Sequence, residues 1–245
     1  MSKNIVIVPT YNEKENVEMM IRKVFSLVPS FEVLIVDDNS PDGTADIVKT
    51  LQQEYGEKLH LEQRAGKLGL GTAYIHGFKT ALALGADYVF EMDCDFSHNP
   101  DDLVRMLDAA KKGADMVVGS RYVIGINVVN WPLGRVLMSY GASKYVRTIL
   151  RMPIKDPTAG FICYNRKVLE TLNLDKIKLK GYGFQIEMKY SAWKLGFSVK
   201  ELSIIFTDRT RGTSKMTGGI FNEAFWGVLG LRFRKIKALQ KTLSD

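Results

Sequence analysis

Two stretches, NIVIVPTYNE (residues 4–13) and FEVLIVDDNSPDG (residues 31–43), decide the fold. Each opens with a short apolar, β-branched run, Asn4 to Val8 and Phe31 to Val36, and then breaks into the Pro, Asn, Asp and Gly that tight turns use. Apolar residues at helical spacing follow both, over Glu13 to Val28 and Gly43 to Glu54. The alternation continues with a short strand at His60 to Gln63, a helix at Gly71 to Leu84, a strand at Tyr88 to Met92, a helix at Asp101 to Lys112 and a strand at Met116 to Gly119. Strands alternating with helices form right-handed units, which predicts an α/β fold with a mainly parallel central sheet flanked by helices.

The second half is less regular. Pro132 suits the first turn of a helix running towards Leu150. Strands are expected at Phe161 to Tyr164 and Val199 to Phe206, with a helix at Phe184 to Lys194 between them and a last helix over Gly219 to Thr242. Without a repeat, low-complexity tract or linker, the expectation is one domain over residues 1–245, with functional halves at 1–120 and 121–218 and a C-terminal amphipathic helix at 219–245.

Composition narrows the classes. Hydrophobic content of 46% and charged content of 25% over 245 residues predict a folded globular chain with a sizeable core. Cys94 and Cys163 are the only two cysteines, without metal-ligand spacing or the look of a disulfide framework, so a reducing compartment is expected. No run of about 18 apolar residues occurs, which argues against a transmembrane helix, and the N-terminus has no signal-peptide pattern. The net charge of +7 is concentrated late, in Arg209, Arg211, Lys215 and the run from Arg232 to Lys241. No zinc-finger, RNP or homeodomain pattern accompanies it, so phosphate ligands and membrane surfaces rank above nucleic acid.

Ligands of a parallel α/β sheet sit at the carboxyl ends of its strands, and three motifs fall there. PTYNE (9–13) and VDDNSPDG (36–43) are turn-forming in composition, and a carboxylate of the second can also accept from a ribose hydroxyl or a base N–H. EMDCDFSH (91–98) places Asp93 and Asp95 on one face of an extended segment. Carboxylates so close repel, and a hard divalent cation relieves that repulsion; the competing reading is a strand-end turn with solvated acids. GKLGLG (66–71) lacks phosphate-loop spacing, and its glycines suit close backbone approach at a helix start, with Lys67 beside a ligand. Arg121 ends a strand, Arg135 follows Pro132, and Arg209 and Lys215 follow the last strand; each can be a solvated surface charge, while several together suit phosphate. A G-x-G-x-x-G after the first strand is missing, which argues against a dinucleotide oxidoreductase.

Taken together, VPTYNE, VDDNSPDGT, K-GLGTA, MDCDFSHNP, GSRY, W-x₃-R-x₃-S-x-GA, D-x-T-x-GF, GYGFQIEM and DR-x₂-G-x-SK resemble the dolichol-phosphate mannosyltransferases, in order from Ile5 to about Gly219. That family's members are inverting glycosyltransferases of the GT-A (nucleotide-diphospho-sugar transferase) fold. The resemblance implies transfer of mannose from GDP-mannose to a dolichyl or polyprenyl monophosphate, with Mg²⁺ or Mn²⁺ as cofactor. It implies nucleotide contacts from Pro9, Tyr11, Glu13 and Asp38, metal and diphosphate binding by Asp93 and Asp95, and handling of donor and acceptor phosphates by Arg121, Arg135, Arg209 and Lys215. Lys67 is expected beside the nucleotide sugar and Ser139 beside the acceptor phosphate. Cys94 stands where alanine is usual, and Ser97 where some relatives have a metal-binding glutamine, which leaves a third metal ligand open. Asp156 and Glu187 match family positions without an assigned role.

A lipid acceptor brings a membrane with it. Tyr122 to Trp131 is expected to be an apolar loop, and the last helix places Phe221, Phe225, Val228, Leu229 and Phe233 near Arg232, Arg234, Lys235 and Lys237. Such a helix either lies in a membrane interface or packs on the core with its cations at the negative end of its dipole. Peripheral attachment to the cytoplasmic face of a membrane is the expectation. Rival readings are a related transferase using UDP-glucose or another donor, a non-catalytic sugar-nucleotide-binding module, and a membrane-docking subunit.

Overall fold

The structure is a computed structural model that describes residues 2–179, 181–208 and 219–239, with side chains from 225 onward in the last stretch. The first half follows the expected order: β1 (Asn4–Thr10), α1 (Val17–Phe25), β2 (Glu32–Asp37), α2 (Thr44–Tyr55), β3 (Leu59–Gln63), α3 (Leu70–Ala83), β4 (Tyr88–Glu91), α4 (Asp102–Lys111) and β5 (Met116–Ser120). The second half runs β6 (Val128–Val129), α5 (Leu133–Leu150), β7 (Ile162–Asn165), α6 (Arg166–Thr171), α7 (Gly181–Lys194), β8 (Val199–Ser203), β9 (Phe206–Thr207) and α8 (Gly219–Phe233). Seven strands form one sheet in the order β3-β2-β1-β4-β7-β5-β8, and β6 pairs with β9 in a small second sheet.

Burial on both faces explains why β1 and β2 read as continuous apolar runs. One core cluster joins Val6, Val8, Val33 and Ile35 to α1 and α4, and the other joins Ile5, Ile7, Leu34 and Val36 to α3 and α7. Gly77 of α3 sits where a Cβ would lie 2.7 Å from Ile7 Cγ2, so this helix presses on the sheet as only glycine permits.

The sheet is mainly parallel, as expected, with β7 alone running antiparallel, between β4 and β5. Individual elements depart from the expectation. The strand expected over Val199 to Phe206 is two: Ile204 N–H still reaches Ser120 O, exposed Ile205 breaks away, and Phe206 N–H turns to Asn127 O in the small sheet. The loop after Tyr122 therefore carries β6. Helix α6 was not anticipated; the Asn165 side chain accepts from Lys167 N–H and caps it. Finally, α8 ends at Phe233 rather than continuing; Thr242 lies outside the described residues.

Candidate active site

The three motifs meet at the carboxyl edge of β1, β2 and β4. Thr10 Oγ1 donates to Asp37 Oδ1 (2.8 Å), Asp38 N–H reaches Thr10 O, Asn12 N–H reaches Ser40 Oγ, and Glu13 N–H reaches Thr44 Oγ1. These bonds lace the turn after β1 to the turn after β2, which brings Pro9, Tyr11, Glu13 and Asp38 to one rim. Asn12, Asn39 and Phe96 occupy left-handed backbone conformations just past β1, β2 and β4. Asparagine tolerates that region, but a bulky residue such as Phe96 (φ 59°) is held there at a conformational cost.

Asp38 is engaged by a residue that no motif marked. Arg64 donates through Nε to Asp38 Oδ1 (2.6 Å), through Nη1 to Thr72 Oγ1 and through Nη2 to Gly69 O. It thus ties the Asp38 carboxylate to the start of α3. Lys67, in the intervening turn, lies 5.0 Å over the Tyr11 ring.

Beyond β4, Asp93 is about 40% exposed through its side chain, while Asp95 is buried and accepts from Ser97 N–H (3.1 Å). Buried His98 accepts from Asp93 N–H through Nδ1 (3.3 Å) and stacks on Phe161. Burial lowers its pKa to about 4, so the imidazole is neutral, as an accepting Nδ1 requires. Burial pushes the Glu91 carboxyl up to about 7, and burial, joined by the charges of Asp93 and Asp95, raises the neighbouring Tyr74 phenol well above its ordinary value. That concentration of negative potential, with an all-oxygen donor set, fits a hard cation. Among the described residues no cluster of three His, Cys, Asp or Glu converges as a metal cage, so the pair would leave further positions to diphosphate and water. Ser97 is buried beside the pair and, through its backbone oxygen, accepts from Thr207 N–H.

On the other side lies a cavity of about 470 Å³ between α5, α7 and α8, which Arg121, Trp131, Arg135 and Ser139 line together with Val146, Ile186 and Val228. Its volume suits an organic ligand. Arg121 is buried and forked onto Asp156: Nε donates to Oδ2 (2.7 Å), Nη2 to Oδ1 (2.6 Å) and also to Thr158 Oγ1 (2.8 Å). Burial acts to raise the Asp156 carboxyl, but the Arg121 guanidinium and its hydrogen bonds outweigh that and hold it below the usual carboxylate value. Arg135 reaches Asp208 (2.8 Å) and lies 4.1 Å over the Trp131 ring. Tyr122 donates to Ser139 Oγ (2.8 Å). The structure therefore brings Arg121, Arg135 and Ser139 to one cavity, and the contacts of Phe206 with both His98 and the Arg121 guanidinium join it to the Asp93–Asp95 segment. Arg209 and Lys215 lie outside the described residues.

Glu187, fully buried on α7, accepts from Lys178 N–H and Leu179 N–H and pairs with Arg234 beyond α8. It pins together two walls of the cavity.

The model of the family described as "Glycosyl transferase family 2" matches residues 5–172, more than half of the chain. The chain belongs to glycosyl transferase family 2. It is 43% identical to polyprenol monophosphomannose synthase of Mycolicibacterium smegmatis, over 93% of this chain and 88% of that protein. It is likewise 43% identical to undecaprenyl-phosphate mannosyltransferase of Micrococcus luteus, over 94% of this chain and 98% of that protein. Among solved structures, glucosyl-3-phosphoglycerate synthase of Mycobacterium tuberculosis superposes with a TM-score of 0.68 over 94% of this chain and 80% of that one, at 18% identity. That crystal contains Mn²⁺, uridine-diphosphate-glucose and glycerol 3-phosphate. At such distance the likeness establishes a shared fold, the GT-A architecture of this family.

Proposed function

We propose that this family 2 glycosyltransferase moves mannose from GDP-mannose to a dolichyl or polyprenyl monophosphate with inversion, giving a β-linked lipid phosphate mannose. The observation that carries the proposal is the cavity itself: two guanidinium groups and a hydroxyl beside an apolar hollow, next to paired carboxylates. A lipid phosphate has those two chemistries in one molecule. The names of the two relatives that are 43% identical agree with it.

In this proposal residues 1–120 bind the donor, residues 121–218 the acceptor, and residues 219–245 face the membrane. Pro9, Tyr11, Glu13, Asp38 and Lys67 hold the nucleotide, with Lys215 and Arg209 on the phosphates. Asp93 and Asp95 would hold Mg²⁺ or Mn²⁺, which when bound offsets charge on the departing diphosphate. The acceptor phosphate is largely an anion at neutral pH, with a second pKa of about 6, so no general base is needed. Arg121, Arg135 and Ser139 orient it and offset its repulsion from the donor.

Among the described residues no helix is long and apolar enough to cross a membrane. Exposed Ile124, Ile126, Leu133, Leu137, Trp226 and Phe233 would instead rest on the cytoplasmic leaflet. Incubation with labelled GDP-mannose and a short-chain polyprenyl phosphate tests the reading. Labelled lipid should form, EDTA should stop it, and excess GDP should compete where UDP does not. Competition by UDP alone would replace GDP-mannose with a uridine donor.

A further inference from the structure

Helix α7 carries an unexplained charge. Lys189 is fully buried, within a run from Gly183 to Ala192 in which every residue is buried. Lysine is almost never fully buried without a task, because desolvating an ammonium is costly. Its Nζ donates to Ala159 O (2.6 Å) and to Gln185 O, one helical turn earlier (3.1 Å). Burial lowers its pKa to about 8, against the negative fields of Glu91 and Asp156, so it remains mostly charged at neutral pH.

Ala159 belongs to the turn of residues 156–160 that leads into β7. That turn is fixed at its start, where Asp156 N–H and Lys155 N–H reach the Glu201 carboxylate (2.9 and 2.7 Å). It is fixed from beneath by Lys189. Between these two anchors stand Asp156 and Thr158, which between them receive Nε and Nη2 of Arg121. Arg121 in turn lines the acceptor cavity. Two sets of charge-assisted hydrogen bonds, Lys189 to the Ala159 carbonyl and Arg121 to Asp156 and Thr158, are thus joined through the backbone of the 156–160 turn, which links the interior of α7 to a guanidinium that lines the cavity.

We propose that Lys189 is a positioning residue for the acceptor: by holding the Ala159 carbonyl it sets the 156–160 turn, and through Asp156 and Thr158 it aims the Arg121 guanidinium at the acceptor phosphate. This rests on the lipid-phosphate reading above. A mere counter-ion for Glu91 would support the core and leave the two substrates equally affected. A turn-setting residue affects the acceptor and spares the nucleotide, whose contacts lie on β1, β2 and β4.

The test is two-substrate kinetics of Lys189→Met with polyprenyl phosphate and nucleotide sugar, together with calorimetric binding of GDP. The acceptor KM should rise by about tenfold or more, the scale of one lost hydrogen bond to a charged group. GDP affinity should stay within about twofold, and in an Arg121→Lys background, where the fork onto Asp156 is already lost, adding Lys189→Met should change the acceptor KM by less than about twofold. If Lys189→Met does not fold, Lys189→Gln, which keeps a shorter neutral donor, carries the same comparison. An unchanged acceptor KM, an equal loss in GDP affinity, or a full additional effect in the Arg121→Lys background would each overturn the proposal. Wild-type protein that transfers nothing to polyprenyl phosphate would remove the functional reading and this inference with it. An active wild type with an unaffected variant removes only the inference.

Discussion

In the proposed reading, the rim at β1, β2 and β4 takes the donor and the cavity the acceptor, and the two differ in how they are built to meet phosphate. At the exits of β1, β2 and β4 the chain gathers acids and short polar turns, with Asp93 about 40% exposed and Asp95 beside it. In the cavity it gathers guanidinium groups and apolar walls, and each arginine is matched by an acid, Arg121 by Asp156 and Arg135 by Asp208. The first region, under that proposal, would receive a cation along with its ligand. The second brings its cations already fixed, with Arg121 buried. On the proposed mechanism, two anions would then approach one another between a supplied charge and a built-in one.

The largest expected effect breaks the donor side alone. Asp95→Ala should reduce transfer by about a thousandfold or more, which corresponds to roughly 4 kcal/mol of transition-state stabilisation, with little loss of lipid phosphate binding. Steady-state kinetics and equilibrium binding separate the two. Arg135→Ala should do the reverse. Acceptor kcat/KM should fall by about a hundredfold, the scale of a charge-assisted contact, while GDP binding holds. Its thermal midpoint should barely move, since the Arg135–Asp208 pair is only partly buried.

Asp156→Asn probes how firmly the built-in charge is held. Removing one member of a buried pair costs about 3 kcal/mol or more, which at this chain length is a fall in Tm of roughly 10 °C. The sign of the pH dependence follows from the lowered carboxyl of Asp156. Its stabilisation is complete above the unfolded value of about 4 and is lost as pH falls through the lower folded value. Thermal melts should therefore show an acid-limb decline in the wild type that is shallower in Asp156→Asn. The smallest effect is expected from Lys67→Ala. Its ammonium sits over Tyr11 on the exposed rim, so only a few-fold rise in donor KM should appear, on the scale of an exposed cation–π contact.

The two regions also differ in how far they were legible before folding. The donor half is local: a strand, its exit turn and the following helix are contiguous, so hydrophobic period and turn residues placed β1 to β5 within a few positions. The acceptor half is assembled from afar. Asp156 lies 35 positions from Arg121, and nothing in D-x-T-x-GF says which cation it meets. Strand β7 inserts between β4 and β5 against the chain order, and a four-residue apolar run carries no sign of its direction. Arg64 escaped notice because it stands in a polar turn where a surface charge is the ordinary reading. Lys189 follows the quoted GYGFQIEM directly, and its one signal was a charge inside an apolar helical face. Arg209 and Lys215, although prominent in sequence, belong to residues whose structure is not described.

The division of labour between rim and cavity is tested most directly by calorimetric titration of a short-chain polyprenyl phosphate into nucleotide-free and metal-free protein, comparing wild type, Asp95→Asn and Arg135→Ala. Lipid phosphate should bind wild type and Asp95→Asn with the same affinity and Arg135→Ala at least about tenfold more weakly. Binding lost in Asp95→Asn but intact in Arg135→Ala would mean that the cavity is not where the acceptor phosphate is held.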